Sequence, residues 1–222
     1  MIFEKLIEVI SKEDNRYLVL ASLLTIIIGA VITVLDPSIA RDIIKQVEEI
    51  HNTIKNFSYV EILALILRNN LTIMAACYVG GLSVIVTPAL GLWAVGRPVG
   101  VVFLQGFLEG IFILAIYGAL ELSGFTLAIT SGYRLTKYLI SKVFRRKGDS
   151  ASRVLYESGI IVLYALMFII VAALAESYIL YTLLPFEGMK ATIQTLPILL
   201  ALFLTIGVTA FLIITLILTI RK

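Results

Sequence analysis

Long stretches of this chain carry almost no charge, and they decide what it can become. Residues 17–35, 71–95 and 196–220 hold no charged side chain, and residues 159–184 hold only Glu176. A hydrocarbon core about 30 Å thick takes about 20 residues of helix to cross, and each stretch is near or above that length. The runs are continuous rather than alternating, so they read as helices and not as barrel strands. With 60% hydrophobic and 15% charged residues, against roughly half and a quarter in soluble domains, no second soluble domain fits. The expectation is one all-α, polytopic membrane domain over 1–222, with about five to six passes and amphipathic interfacial helices.

Chain order fills in that outline. Residues 1–16 place Ile2, Phe3, Leu6, Ile7, Val9 and Ile10 at helical spacing between charges, as an interfacial helix would. Four acids in this leader and the lack of a small-residue cleavage site argue against a signal peptide. A first span at 17–35 ends at Asp36 and Pro37, and Pro37 suits the first turn of the next helix. Residues 38–57 form that helix, apolar on one face and charged on the other, lying at the outer surface; His51 borders its stripe. A second span at 71–95 is expected to kink at Pro88, followed by a short turn at Gly96, Arg97 and Pro98.

Residues 99–133 are long for one span and short for two. They read either as a tight or re-entrant hairpin turning near Gly118, or as a half-helix and one span. Residues 134–153 are strongly basic around the apolar stripe of Leu135, Tyr138, Leu139, Val143 and Phe144. They suit a cytoplasmic interfacial helix, with anionic lipids meeting 134–147. Spans at 159–184 and 196–220 complete the chain. If 99–133 crosses twice, most Lys and Arg residues share one side, which places both termini in the cytoplasm of a multi-pass cell-membrane protein.

The polar residues inside apolar surroundings are the candidates for function. An acid at the middle of a membrane helix costs about 2.5–3.5 kcal/mol on insertion scales, so it is either paired or part of a site. Glu121, beside Gly118, Ser123 and Gly124, is either company for a broken helix or a proton or cation relay. Glu176 approaches the same membrane half and could meet it, and two such carboxylates would share a proton. Glu109 follows Gln105 and Gly106 and marks a turn or a contact. Gly96 and Gly100, like Gly106 and Gly110, fit a small-xxx-small helix contact. The single cysteine, Cys77, and the single histidine, His51, leave no thiolate or histidine metal centre. HExxH, CxxC and phosphate-loop patterns are missing, and no aspartate lies in a span. Catalysis, cofactors and nucleic-acid binding are therefore not expected.

These residues resemble the stage II sporulation protein M family. Asn70 leads a span through Ala75-Ala76 and Gly80-Gly81; Gly96 and Gly100, Gly118 and Glu121, then Gly132 follow; Ala172-Ala173-Leu174-Ala175-Glu176 closes the series. The family pattern has Asn-Gly at the turn and His-Gly-x-x-Glu in the next helix. Here Val95 and Tyr117 stand at the Asn and His positions, while Gly96, Gly118 and Glu121 match. The resemblance covers about residues 65–180. It implies a non-enzymatic membrane protein of about five spans, similar in endospore formers to the anchor that localises peptidoglycan-degrading enzymes. Relatives occur widely in organisms that never sporulate, so that role does not transfer automatically. Two functions follow as expectations. One is a scaffold that recruits an unidentified protein partner, with Glu121 and Glu176 fixing helix geometry and a homodimer or other homo-oligomer favoured by the glycines. The other is a small transporter or channel subunit using those acids.

Overall fold

In the computed structural model, residues 2–54, 56–83, 85–105, 118–144 and 150–183 are described, and all their regular structure is helical. The helices are α1 (Ile2–Ile10), α2 (Glu13–Leu35), α3 (Pro37–Ile54), α4 (Tyr59–Val79), α5 (Val86–Leu90), α6 (Arg97–Gln105), α7 (Ala119–Val143) and α8 (Ala151–Leu183). Among the described residues, three stretches are long and apolar enough to cross a membrane: α2, Tyr59–Leu82 and Ala151–Tyr178. Glu109 and Tyr117, the basic residues 145–147 and the expected last span at 196–220 lie outside the described residues.

The first span is built inside out. Its buried stripe is Asn15, Ser22, Ile26, Gly29, Ala30 and Thr33, whereas Leu24, Ile27, Ile28, Val31 and Leu35 face outward. Small and polar residues hold membrane helices together because lipid is as apolar as Leu. Ser22, Thr25 and Thr33 donate to the carbonyls of Leu18, Ala21 and Gly29, so their hydroxyls cost little in an apolar setting. At the end of α2, Asp36 Oδ1 accepts from the Ser38 N–H at 3.1 Å and from the Ser38 hydroxyl at 2.5 Å, and α3 starts at Pro37. These hydrogen bonds hold the Asp36 carboxyl below its ordinary pKa.

Five boundaries differ from the sequence reading. Residues 1–16 are not one surface helix: α1 stops at Ile10, Leu6 and Val9 enter the core, and Asn15 is fully buried. The Asn15 amide donates to the Val9 carbonyl at 2.7 Å and folds α1 back over the bundle. The second span begins at Tyr59, not at 71. Ser58 and Glu61 form a reciprocal capping box there, with Ser58 N–H to Glu61 Oε2 at 2.7 Å. That span ends at Val79, where Gly80 and Gly81 enter a tight turn. Pro88 therefore kinks nothing: it sits in the first turn of α5, where its missing N–H has no partner to lose. Helix then continues through 96–98 by way of a π-helical segment, Gly91–Gly96, whose wider turn precedes Pro98. Finally, α7 runs unbroken to Val143 and Arg134 faces inward, so the basic stretch is not a separate interfacial helix and Arg134 is removed from its surface.

Close crossings set the directions of the helices. Thr25, Gly29 and Ala30 of α2 stand beside Gly91, Gly96 and Gly100 in order, so residues 86–105 run parallel to α2. A Cβ on Gly96 would come within 2.6 Å of the Ile26 carbonyl oxygen and 2.9 Å of Gly29 Cα. Gly81 meets Gly132 backbone to backbone, and the Thr136 hydroxyl donates to the Gly81 carbonyl at 2.9 Å. That register makes α4 parallel to α7. Ser131 Oγ donates to the Ser158 carbonyl at 3.0 Å, and Gly124 packs on Ala165 and Ile169, so α8 runs antiparallel to α7. Ser22 and Thr25 of α2 bond Thr130 and Tyr133 of α7 at 3.0 and 2.7 Å. An apolar groove of about 430 Å³ remains between α2, α6 and α7, lined by residues such as Ile27, Val31, Val99 and Leu122.

Candidate functional site

Parallel α4 and α7, with α8 antiparallel to both, bring three polar side chains to one level. Asn70 comes from the middle of α4, Glu121 from the first turn of α7, and Glu176 from near the end of α8. Eleven residues separate Gly81 from Asn70 and likewise Gly132 from Glu121, so the glycine contact fixes the polar one. The Gly81–Gly132 crossing puts Asn70 beside the start of α7, and the α7–α8 contacts put Glu176 toward the same end of the bundle. Glu121, Glu176 and Asn70 thus lie toward the same end of the bundle. Asn70 is 3% exposed; its Oδ1 accepts from Asn69 Nδ2 at 3.2 Å, while its Nδ2 has no partner in hydrogen-bond geometry.

The hydroxyls nearby are committed elsewhere. Ser123 Oγ donates to the Ala119 carbonyl at 2.7 Å, and Ser177 Oγ to the Ala173 carbonyl at 2.5 Å. Among the described residues, no Lys or Arg forms an ion pair with Glu121 or Glu176. Nor do three His, Cys, Asp or Glu side chains converge among them. The other singled-out positions are packing residues. Gly96 and Gly100 face α2, Gly124 faces Ile169 and Ala165, and Pro88 opens α5. Gly118 is buried in right-handed helical conformation just before α7, with φ −62° and ψ −30°.

A second polar cluster lies at the opposite end of α7 and α8, and sequence reasoning missed it. Glu157, 1% exposed, accepts Lys12 Nζ at 2.6 Å and Arg153 Nε at 3.1 Å on Oε1, while Arg134 pairs with its Oε2. Arg134 Nη1 also donates to Asn15 Oδ1 at 2.5 Å. One carboxylate thus ties the α1–α2 junction to α7 and α8. The available signal was helical spacing: Arg134 falls on the face of Leu127, Thr130 and Ser131, which is buried. Its place in a basic run concealed that.

Inside-out helices, backbone-committed hydroxyls and glycine crossings define a helical membrane protein. A model of the stage II sporulation protein M family matches residues 18–179, most of the chain, and the protein belongs to that family. No curated protein and no solved structure matches it.

Proposed function

We propose that this protein is a non-enzymatic, multi-pass scaffold of the cell membrane that holds partner proteins at its surface. The observation that carries this reading is α3. Its inner side is fixed, with Ala40 and Ile54 buried. Arg97 donates to the Ile39 carbonyl and lies 4.2 Å from the Trp93 ring centroid. Its outer side offers Arg41, Asp42, Lys45 and Glu49. A charged helix already held in place loses little freedom when a partner docks. Membership of the sporulation protein M family supports a role in the membrane.

Charge supports the orientation. Lys5, Lys12, Arg16, Lys137, Lys142 and Arg153 belong to the end of the bundle that holds Glu157, which the positive-inside rule assigns to the cytoplasm. Helices α2, α4, the 86–105 segment, α7 and α8 then cross in alternation, and α3 lies on the outer face. Anionic lipid meets the basic run from Lys137 onward. Affinity purification from native membranes in mild detergent, with mass spectrometry, tests the scaffold. A stoichiometric protein partner that is lost from Arg41→Glu/Lys45→Glu supports it; the chain alone, in both forms, overturns it.

Two acids, Glu121 and Glu176, on membrane helices at one end of the bundle favour a second reading, a small transporter or channel subunit. Glu121→Gln would then fold normally and abolish a cation-coupled flux in liposomes. Normal folding with intact flux would end that reading.

A further inference from the structure

The cations of this bundle are not compensated alike. Lys12, Arg134 and Arg153 share the Glu157 carboxylate, and Lys137 pairs with Asp14 at 2.7 Å. Arg97 lies inside the 86–105 crossing and, among the described residues, makes no ion pair. Asp36, at the junction that Arg97 reaches, is committed to Ser38. An arginine keeps its charge in any protein, and a charge carried into a membrane needs a counter-charge or a route to the interface.

Arg97 takes the route to the interface. Gly96 stands against Ile26 and Gly29, and Gly100 against Ala30 and Thr33. The Arg97 backbone is therefore level with Gly29 and Ala30, about 8 Å short of the end of α2. Its side chain climbs that distance, and Nη2 donates to the Ile39 carbonyl in the first turn of α3. There the guanidinium stands where the α2 span ends and headgroups begin. It lies 4.2 Å from the ring centroid of Trp93, four residues earlier on the same side of the helix. Trp93 is 62% exposed, so this side looks out of the bundle. Nη1 bonds nothing in the protein and is open to the surroundings, while Nε is covered and has no acceptor. A carbonyl and an indole fix the cation in place without balancing its charge. Fixed donors on an unbalanced cation call for an anion.

We propose that Arg97, held by Ile39 and Trp93, binds the phosphate of one phospholipid from the leaflet at the α3 end of the bundle. On the lipid-facing side of a helix, the anion found at that depth is the headgroup phosphate, and guanidinium donors meet it in charge-assisted hydrogen bonds. Indole rings settle at the same depth, which suits Trp93 as one wall of the site. Such a lipid pins α3 against α6. The site stands apart from the scaffold reading, since a lipid that steadies α3 serves a scaffold or a transporter subunit equally.

Trp93 is the chain's single tryptophan, so its fluorescence reads the site directly. The full chain in a maltoside detergent is titrated with phosphatidylglycerol brominated on its acyl chains, which quenches a neighbouring indole. A parallel titration uses brominated diacylglycerol, which lacks the phosphate. Saturable quenching at one phosphatidylglycerol per chain is expected, with diacylglycerol weaker by about tenfold or more. Arg97→Gln should weaken the phospholipid by a similar factor and Arg97→Lys by less, while Lys5→Gln, on α1 at the other end of the bundle, should change nothing. Should Arg97→Gln fail to fold, the wild-type contrast between the two lipids and Arg97→Lys still decide. Equal quenching by both lipids, or a phospholipid curve unchanged in folded Arg97→Gln, overturns the proposal. So does displacement of the lipid by millimolar inorganic phosphate, which would mark a site for a soluble anion. Absence of saturable quenching overturns it too, and would leave Arg97 to a carboxylate on a protein partner.

Discussion

Removing the carboxylate of Glu157 should be among the most damaging single changes outside the glycine crossings. Arg134 is 3% exposed and Glu157 is 1% exposed. Glu157→Gln takes from the buried Arg134 guanidinium the carboxylate it pairs with, while Lys12 and Arg153, both partly exposed, can turn to water. Stranding one member of a buried pair costs about 3–5 kcal/mol, which for a chain of this size is a fall in Tm of about 6–20 °C. Arg134→Met should cost a similar amount by stranding Glu157, although Lys12 and Arg153 soften that loss. The double variant Arg134→Met/Glu157→Gln should be markedly more stable than the sum of its parents, because neither charge is left behind. Cys77 supplies the assay. It is the chain's single cysteine and is fully buried, so a thiol-reactive dye reports unfolding directly. Additive losses in this cycle, to within about 0.5 kcal/mol, would refute the claim that the pair acts as a unit.

The remaining expectations concern packing and caps. Gly96→Ala must push α2 away from the π-helical segment, because the new methyl meets backbone atoms at 2.6 and 2.9 Å; a loss of about 1–3 kcal/mol should appear in the same dye assay. Ser58→Ala removes the hydroxyl of the α4 capping box and should cost about 1 kcal/mol, whereas Glu61→Gln keeps the reciprocal bond and should cost less. The Asp36 carboxyl is held below its ordinary pKa by Ser38, so its cap on α3 is present at neutral pH and is lost as pH falls through that lowered value. The protection factor of the Ser38 amide, its exchange corrected for the intrinsic pH dependence, should fall in acid, and at neutral pH in Asp36→Ala.

Much of the fold was legible in the apolar runs, because lipid forces backbone bonds to close within each helix. The run at 17–35 lies inside α2, and Pro37 opens α3 as its chemistry suggests. Boundaries failed where short polar signals outweighed hydropathy. Arg68 and the two asparagines hid a helix that the Ser58–Glu61 box starts well before 71. Pro88 and Pro98 looked like interruptions, yet a first turn and a π-helical segment absorb them. At the candidate site, Glu121 and Glu176 were recognisable from the cost of an acid among apolar residues. Asn70 was recognisable as a polar residue opening an uncharged run, but its place beside the start of α7 was not, since that depends on the Gly81–Gly132 crossing. Glu157 was not recognisable, because its three partners lie far apart in sequence and an acid near a helix end raises no alarm.

The arrangement as a whole is tested most directly by which side of the membrane each end of the bundle faces. Single cysteines placed at Asn52, exposed on α3, and at Ser150, exposed just before α8, can be labelled with a membrane-impermeant maleimide in intact cells. Buried Cys77 gives little background. The account predicts labelling at position 52 in intact cells, and at position 150 only after permeabilisation. Labelling of both positions from the same side would contradict a bundle that displays α3 outside and its basic end within.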